Sequence, residues 1–191
     1  MMFARTPRLL LRPGWPEDAA MLSAALDDAA IARNLARVPH PYGVADARAF
    51  LAEPIDQRHP RLLAFSRTQG LARLIGGCGL APAPDGGVEI GYWIARPYWG
   101  LGFATEATRA LVHAARAMGH RTIRARHAVD NPASARVLRK LGFRPTGDFV
   151  RVHSVARGEE VLTMLFEDCG EADMRSDAAE AVYRDSDMLA A

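Results

Sequence analysis

Hydrophobic and polar positions alternate along this chain with two periods, and these periods predict where strands and helices lie. Short apolar runs between glycine and proline turns are typical of strands, and apolar residues three and four positions apart are typical of helices. The predicted strands cover residues 8–12, 62–66, 71–80, 88–94, 122–129, 149–153 and 160–166. The predicted helices cover residues 16–28, 46–51, 105–118 and 133–141.

The order of these elements favours one α/β (α+β) domain, which we place at residues 1–166. The second, third and fourth strands follow one another through short connections, which favours an antiparallel meander. We therefore expect a mixed, mostly antiparallel sheet covered by helices on both faces. The segment 33–43 contains Pro39 and Pro41, and we expect this loop to border a substrate pocket.

The net charge of +2 conceals two oppositely charged parts of the chain. Eight acidic residues and two arginines lie after Phe166, so residues 1–166 carry a net charge of +8. We expect residues 167–191 to be a disordered tail or a docked helix, and the basic domain to favour an anionic ligand. Nucleic acid is not expected, because aromatic residues make up only 7% of the chain and there is no arginine-rich run.

The two cysteines, Cys78 and Cys169, form neither a disulfide framework nor a C-x-x-C pair. This usage fits a reduced cytoplasmic compartment. The first residues lack a signal-peptide core, and no uncharged apolar run approaches the length needed to cross a bilayer. We expect a soluble, cytoplasmic protein with no membrane partner and no metal.

A glycine-rich turn between the strand at 88–94 and the helix at 105–118 is the strongest candidate for a ligand site. Gly100 and Gly102 lack the Cβ that would hold an anion away from the backbone. The first N–H groups of the following helix have no acceptor within it, and with the helix dipole they suit a pyrophosphate. The alternative interpretation is an ordinary glycine turn that leads into a helix.

Several motifs occur in order and together resemble a known family. They are Thr6-Pro7-Arg8-Leu9-Leu10-Leu11-Arg12, Glu89-Ile90-Gly91-Tyr92-Trp93, Trp99-Gly100-Leu101-Gly102-Phe103-Ala104-Thr105-Glu106-Ala107, Asn131-Pro132-Ala133-Ser134 and Lys140-Leu141-Gly142-Phe143. With these motifs the chain resembles the GNAT acetyltransferases from Thr6 to Phe166. More narrowly, it looks like the RimJ/RimL type, which acetylates protein N-terminal amines.

The resemblance implies a GNAT-like fold and transfer of an acetyl group from acetyl-CoA to a primary amine, such as a peptide N-terminus or a small amine, by direct attack on the thioester. It also implies that Asn131 holds the pantetheine arm and that Ser134 lies near the sulfur. The resemblance leaves open whether the protein forms a homodimer. The implied acetyl-CoA contacts are Ile94, Trp99, Gly100, Leu101, Gly102, Phe103, Ala104, Thr105, Asn131, Ser134 and Lys140.

Two positions depart from the family pattern. Trp99 stands where the pattern begins its phosphate turn with Gln or Arg, which puts one polar contact in doubt. Leu138 stands where the pattern carries a tyrosine that protonates the departing thiolate. Another residue must take that role. We predict Ser134, for which helix capping is the alternative.

Transfer to an amine also requires a group that accepts the ammonium proton. Glu89 lies on the strand face opposite the apolar residues of its strand, which predicts that it faces the cleft. The resemblance favours Glu89 as the base, and a solvated strand carboxylate is the alternative. His127 shares a face with apolar residues, so a core histidine is favoured over a base there, and His153 is a weaker candidate.

Cationic side chains on the helix at 133–141 are candidates for contacts with CoA phosphates, although a charged helix face needs no ligand. Only Lys140 matches the family motif residue by residue. The cations in question are Arg136, Arg139 and Lys140.

Two other function classes stay open. A nucleotide-dependent oxidoreductase would use the glycine turn with Asp130 as a ribose-binding acid. Thr105 counts against it, because it replaces the third small residue of that fingerprint, and the preceding strands look antiparallel. A catalytically idle acyl-CoA-binding module would keep the glycine turn without the chemistry, and Leu138 favours that alternative.

Overall fold

The computed structural model describes residues 2–168 apart from positions 69, 71 and 85, so most of the predicted tail lies outside the described residues. The helices of this part are α1 (Ala19–Leu26), α2 (Ala29–Ala32), α3 (Val44–Ala52), α4 (Phe103–Ala117) and α5 (Pro132–Lys140). The strands are β1 (Ala4–Arg5), β2 (Leu9–Arg12), β3 (Arg61–Ser66), β4 (Arg73–Pro82), β5 (Val88–Ile94), β6 (Ile123–Ala128), β7 (Phe143–Ser154) and β8 (Glu159–Asp168).

All eight strands belong to one sheet with the order β1-β2-β3-β4-β5-β6-β8-β7. Neighbouring strands are antiparallel except for β5 and β6, which are parallel. Helix α4 forms the crossover between β5 and β6, because parallel neighbours cannot be joined by a tight turn. The predicted mixed, mostly antiparallel sheet is confirmed.

Alternating side chains divide the apolar residues between two cores, one on each face of the sheet. On β3, Leu62 and Ala64 pack in the core under α4 and α5, whereas Leu63 and Phe65 pack in the core under α1, α2 and α3. This is the two-residue period of a strand that is buried on both faces. The predicted cover of helices on both faces is confirmed.

The predicted boundaries differ from the structure mainly where the apolar pattern is weak. Strand β1 has only two residues, too few to show alternation. Strand β7 begins at Phe143 and not at Phe149, because a register irregularity between Pro145 and Phe149 interrupts its pattern. Strand β8 extends to Asp168, so two acidic residues expected in the tail, Glu167 and Asp168, belong to the sheet and pair with Arg124 and Arg116.

A buried ion pair fixes the turn from β2 into the first helices. The two Nη atoms of Arg12 each lie 2.7 Å from a carboxylate oxygen of Asp18, and the Trp15 N–H donates to the same carboxylate. The rings of Trp15 and Phe65 lie 3.8 and 4.1 Å from the Arg12 guanidinium carbon. Burial raises the pKa of Asp18, but the hydrogen bonds from Arg12 and Trp15 outweigh it and leave that pKa lowered.

Candidate active site

The parallel strands β5 and β6 separate toward their carboxyl ends. They are paired only at Val88–Ile123, Glu89–Arg124 and Ile90–Ala125, although β5 continues to Ile94 and β6 continues to Ala128. We call the space between residues 91–94 and 126–128 the β5–β6 gap. Ligands of open α/β sheets bind outside the carboxyl ends of parallel strands, so this gap is a candidate for the reacting centre.

The predicted glycine turn lies directly after β5 and opens helix α4. Gly100 and Gly102 have φ angles of 76° and 82°, a left-handed conformation that glycine adopts without strain. The first helical hydrogen bond runs from Glu106 N–H to the Gly102 carbonyl, so the amides before Glu106 are those that lack an acceptor within α4. Apart from its two chain neighbours, no atom of the described residues lies within 4 Å of a Cβ built at Gly100. The turn therefore has free donors and open space beside them.

Trp99 ties this turn back to the end of β5. Its indole Nε1 donates to the Ile94 carbonyl at 2.6 Å, while about half of the side chain stays exposed. The residue that departs from the family pattern thus fixes the position of the turn through the strand that precedes it. Leu101 is exposed, Phe103 is buried, and Ala104 and Thr105 are partly buried at the start of α4.

The N-terminal segment holds the first turn of α4 from the other side. Glu106 accepts hydrogen bonds from Thr6 Oγ1 at 2.6 Å, Arg8 N–H at 2.9 Å and Arg8 Nε at 2.6 Å. Arg8 also donates to the Leu101 carbonyl, and its guanidinium carbon lies 4.2 Å from the centre of the Phe103 ring. Burial raises the pKa of Glu106, but these hydrogen bonds outweigh it and leave the pKa lowered.

The contact of Thr6 and Arg8 with Glu106 was not predicted, although all three residues belong to the motifs of the family pattern. Thr6 and Arg8 lie 100 and 98 positions before Glu106, and local periodicity carries no information on such distant pairing. Their position in two motifs of one family pattern was the only available signal.

Asn131 and Ser134 lie together at the start of α5. Asn131 Oδ1 accepts a hydrogen bond from Ser134 N–H at 3.2 Å, so Asn131 and not Ser134 supplies the N-terminal cap of the helix. The Ser134 hydroxyl instead lies 2.8 Å from the Tyr92 hydroxyl on β5. Burial raises the pKa of Tyr92 to about 12. Tyr92 is a site residue that sequence analysis missed, because its place in the apolar set of β5 marked it as core.

Glu89 forms an ion pair with Arg126 on the neighbouring strand β6. It projects from the face of β5 opposite Ile90 and Tyr92, as the alternation predicts. Both of its carboxylate oxygens contact Arg126 of β6, with 3.0 Å between Nε and Oε1. The role of Glu89 as the base stays a prediction. To act as the base, Glu89 would have to release or share its ion pair with Arg126.

The two candidate histidines occupy different environments. His127 is buried and its Nδ1 lies 2.7 Å from the Ala128 carbonyl, which requires a proton on Nδ1. Within the described residues Nε2 has no hydrogen-bond partner, and the ring packs on Phe166 at 5.3 Å. His153 lies on the exposed edge strand β7, 3.8 Å from Glu160.

The three cations of α5 are exposed. Lys140 borders a groove of about 1210 Å³ between the N-terminal segment and α4, and Gly102 and Arg109 line the same groove. Arg139 lies 5.7 Å from the Phe166 ring and Arg136 is exposed. Leu138, in contrast, is fully buried in the core under α4 and α5.

The loop predicted to border a substrate pocket is tied to the start of α5. Arg33 and Arg157 both donate to Asp130, each at 2.8 Å, and Val155 N–H donates to the Ala36 carbonyl. The hydrogen bond from Arg157 lowers the pKa of Asp130. Asp130 is therefore engaged by two guanidinium groups, which leaves little capacity for the ribose contact that an oxidoreductase would need.

Among residues 2–168, outside the three gaps, no group of three His, Cys, Asp or Glu side chains could hold a metal ion. None of the helices in that range has the length and apolar character needed to span a bilayer.

Known proteins resemble this chain in sequence and in fold. The curated N-acetyltransferase p20 of Bacillus licheniformis, itself uncharacterised, is 31% identical over 96 residues, which are 49% of this chain and 53% of that protein. The chain thus matches about half the length of this relative. The RimL ribosomal L7/L12 alpha-N-protein acetyltransferase, solved with coenzyme A, has a TM-score of 0.73 at 20% identity over 87% of this chain and 97% of its own.

A third protein, the ribosomal-protein-S5-alanine acetyltransferase of Vibrio fischeri, has a TM-score of 0.74 at 16% identity over 90% of this chain and 98% of its own. At such identities these two structures establish the fold alone. The family described as Acetyltransferase (GNAT) domain matches residues 8–144, which is more than half of the chain. The chain therefore belongs to the GNAT acetyltransferase family.

Proposed function

We propose that this protein transfers an acetyl group from acetyl-CoA to a primary amine. The observation that carries the proposal is the pair of left-handed glycines, Gly100 and Gly102, which open α4 in a turn that Trp99 ties to the end of β5, the strand that borders the β5–β6 gap. A pyrophosphate bound to the free amides of this turn would let the rest of the cofactor extend toward the gap. Membership of an acetyltransferase family and the net charge of +8 on residues 1–166 support an anionic acyl donor.

Each step of the proposed reaction has a candidate residue. The Asn131 amide, whose oxygen caps α5, has a nitrogen that can donate to a pantetheine carbonyl. The amine attacks the thioester carbon, the nitrogen–carbon bond forms and the carbon–sulfur bond breaks. Ser134 would donate a hydrogen bond to the negative charge that develops on sulfur. Glu89 would accept the ammonium proton directly or through water, in exchange for its contact with Arg126.

The donor is proposed as one compound, whereas the acceptor is proposed only as a class of amine. RimL and the S5-alanine acetyltransferase share the fold, and we propose a protein N-terminal amine as one acceptor class and a small amine as the other. The loop at 33–43 and the turn between β7 and β8 meet at Asp130, next to Asn131. These segments are therefore the ones that would contact the acceptor and discriminate between the two classes.

A catalytically idle acyl-CoA-binding module is the second candidate. The observation that favours it is the bidentate contact of Glu89 with Arg126, because a base held in this way is not free to accept a proton. Leu138 adds support, because this buried residue occupies the position where the family pattern carries a tyrosine. Such a module would bind acetyl-CoA without turning it over.

One experiment separates these functions. The purified chain is incubated with acetyl-CoA and a panel of N-terminal peptides, polyamines, aminoglycosides and free amino acids, and CoA release is followed against a protein-free control. We expect amine-dependent CoA release and a melting temperature raised by acetyl-CoA but not by NADH. Stabilisation by acetyl-CoA without release for any amine would favour the idle module, and stabilisation by NADH alone would contradict both.

A further inference from the structure

Tyr92 connects the β5–β6 gap with the first turn of α5. It lies on β5 beyond Ile90, where β5 no longer pairs with β6, and its ring packs against the core under α4 and α5. Its hydroxyl lies 2.8 Å from Ser134 Oγ and 3.2 Å from the Ser134 carbonyl oxygen. Tyr92 on β5 thus places its phenol next to Ser134, three residues after the cap residue Asn131.

Two hydrogen-bond arrangements are compatible with these distances. In one, Tyr92 donates to the Ser134 carbonyl and accepts the Ser134 hydroxyl proton. In the other, Tyr92 donates to Ser134 Oγ, and the Ser134 proton must then point away from Tyr92. Burial raises the pKa of Tyr92 to about 12, so at neutral pH the phenol keeps the proton that both arrangements require. A negative charge beside Ser134 selects the second arrangement, because only that one presents a proton to it.

We propose that Tyr92 is a positioning residue for acetyl transfer, which donates to Ser134 Oγ and so directs the Ser134 hydroxyl proton at the departing sulfur. This inference rests on the proposed function. As the nitrogen–carbon bond forms and the carbon–sulfur bond breaks, the electron pair stays on sulfur, where the Ser134 O–H stabilises it. The proton remains on Ser134, since a thiolate, with a thiol pKa of about 8.5, is a far weaker base than an alkoxide.

The remaining protons balance without a further reactant. The amine proton leaves to Glu89 or to water, and the released CoA thiolate takes a proton from solvent. The position where the family pattern carries a tyrosine is filled here by Leu138, which is fully buried and cannot donate. Tyr92 therefore supplies the phenol of the site from β5 and acts through Ser134.

A double-mutant cycle tests this role. Tyr92→Phe removes only the hydroxyl and keeps the ring that packs in the core, so the variant should fold with an unchanged acetyl-CoA dissociation constant. Turnover should fall by about tenfold, the effect of one misdirected hydrogen bond to a charged group. In the Ser134→Ala background, Tyr92→Phe should have no further effect on kcat, because its target is already absent.

The control variant is Tyr98→Phe, which also loses one phenol hydroxyl while its ring still packs edge-on against Phe103. It should keep wild-type turnover. Multiplicative losses in the double variant, or full turnover in Tyr92→Phe, would overturn the positioning role while the proposed function stands. A wild-type protein that binds acetyl-CoA but acetylates no amine would instead overturn the proposed function, and this inference with it.

Discussion

Arg8 and Glu106 join the N-terminal segment to the first turn of α4, although 98 positions of sequence separate them. The Arg8 backbone N–H and Nε both donate to the Glu106 carboxylate, and an Nη of Arg8 donates to the Leu101 carbonyl within the glycine turn. The glycine turn and the start of α4 are thus held by the segment that precedes β2. We infer that this contact keeps the turn in one conformation.

Glu106→Gln should destabilise the protein in a pH-dependent way. The pKa of Glu106 is lowered from its ordinary value of 4.5, so its contribution is present above that value and is lost as pH falls through the lowered pKa. The variant should lose about 1–3 kcal/mol of the free energy of unfolding at pH 7, and the difference from wild type should shrink below pH 4.5. Urea unfolding at several pH values measures both, with the exposed Glu17→Gln as control.

Asp18→Asn should be one of the more destabilising substitutions at a polar position. It would leave the Arg12 guanidinium buried between Trp15 and Phe65 without its carboxylate, and breaking a buried ion pair costs about 3–5 kcal/mol. Asp56→Asn, which removes an exposed carboxylate beside His59, is the matched control and should have little effect. Equal unfolding midpoints for the two variants would show that the Arg12–Asp18 pair is not the anchor of the first helices.

Ser134→Ala should separate turnover from stability. Asn131 caps α5, so loss of the Ser134 hydroxyl should leave the melting temperature and the acetyl-CoA affinity close to wild type while kcat falls, because the lost interaction forms in the transition state. Asn131→Ala should instead cost about 0.5–2 kcal/mol of stability, as expected for a lost cap. Normal turnover in Ser134→Ala would remove this residue from the mechanism.

If Glu89 is the base, Glu89→Gln should lose turnover and Arg126→Met should keep it. Glu89→Gln should lower turnover by roughly 10²–10⁴-fold at neutral pH, and the loss should shrink at high pH, where the amine is neutral without help. Arg126→Met frees the carboxylate and should retain turnover. Equal losses in both variants at every pH would assign the pair to structure. The buried His127, whose Nε2 has no hydrogen-bond partner among the described residues, would then become the next base to test.

The order of the elements was predictable because it depends on local periodicity. The alternation on β5 placed Glu89 opposite Ile90 and Tyr92, and the glycine turn was visible from two glycines between a strand and a helix. Local patterns give the face of a side chain but not its partner. Arg126 reaches Glu89 only because of the register between β5 and β6.

The same limit explains why the Tyr92–Ser134 contact was missed. It depends on where α5 begins relative to the end of β5, and no local pattern fixes that distance. Tyr92 alternates with buried aliphatic residues, so the sequence marks it as core, and its ring is indeed packed there. Only its hydroxyl belongs to the candidate site.

The binding of acetyl-CoA to Gly100→Ala, compared with Gly119→Ala, tests whether the glycine turn holds the cofactor. Both glycines have a positive φ and open space around a built Cβ, at opposite ends of α4, so each substitution should cost about 1–2 kcal/mol of stability. Calorimetry should show acetyl-CoA affinity reduced by about tenfold or more in Gly100→Ala alone, because only that methyl group enters the space beside the free amides. Wild-type affinity in a folded Gly100→Ala would contradict the claim that this turn binds the cofactor.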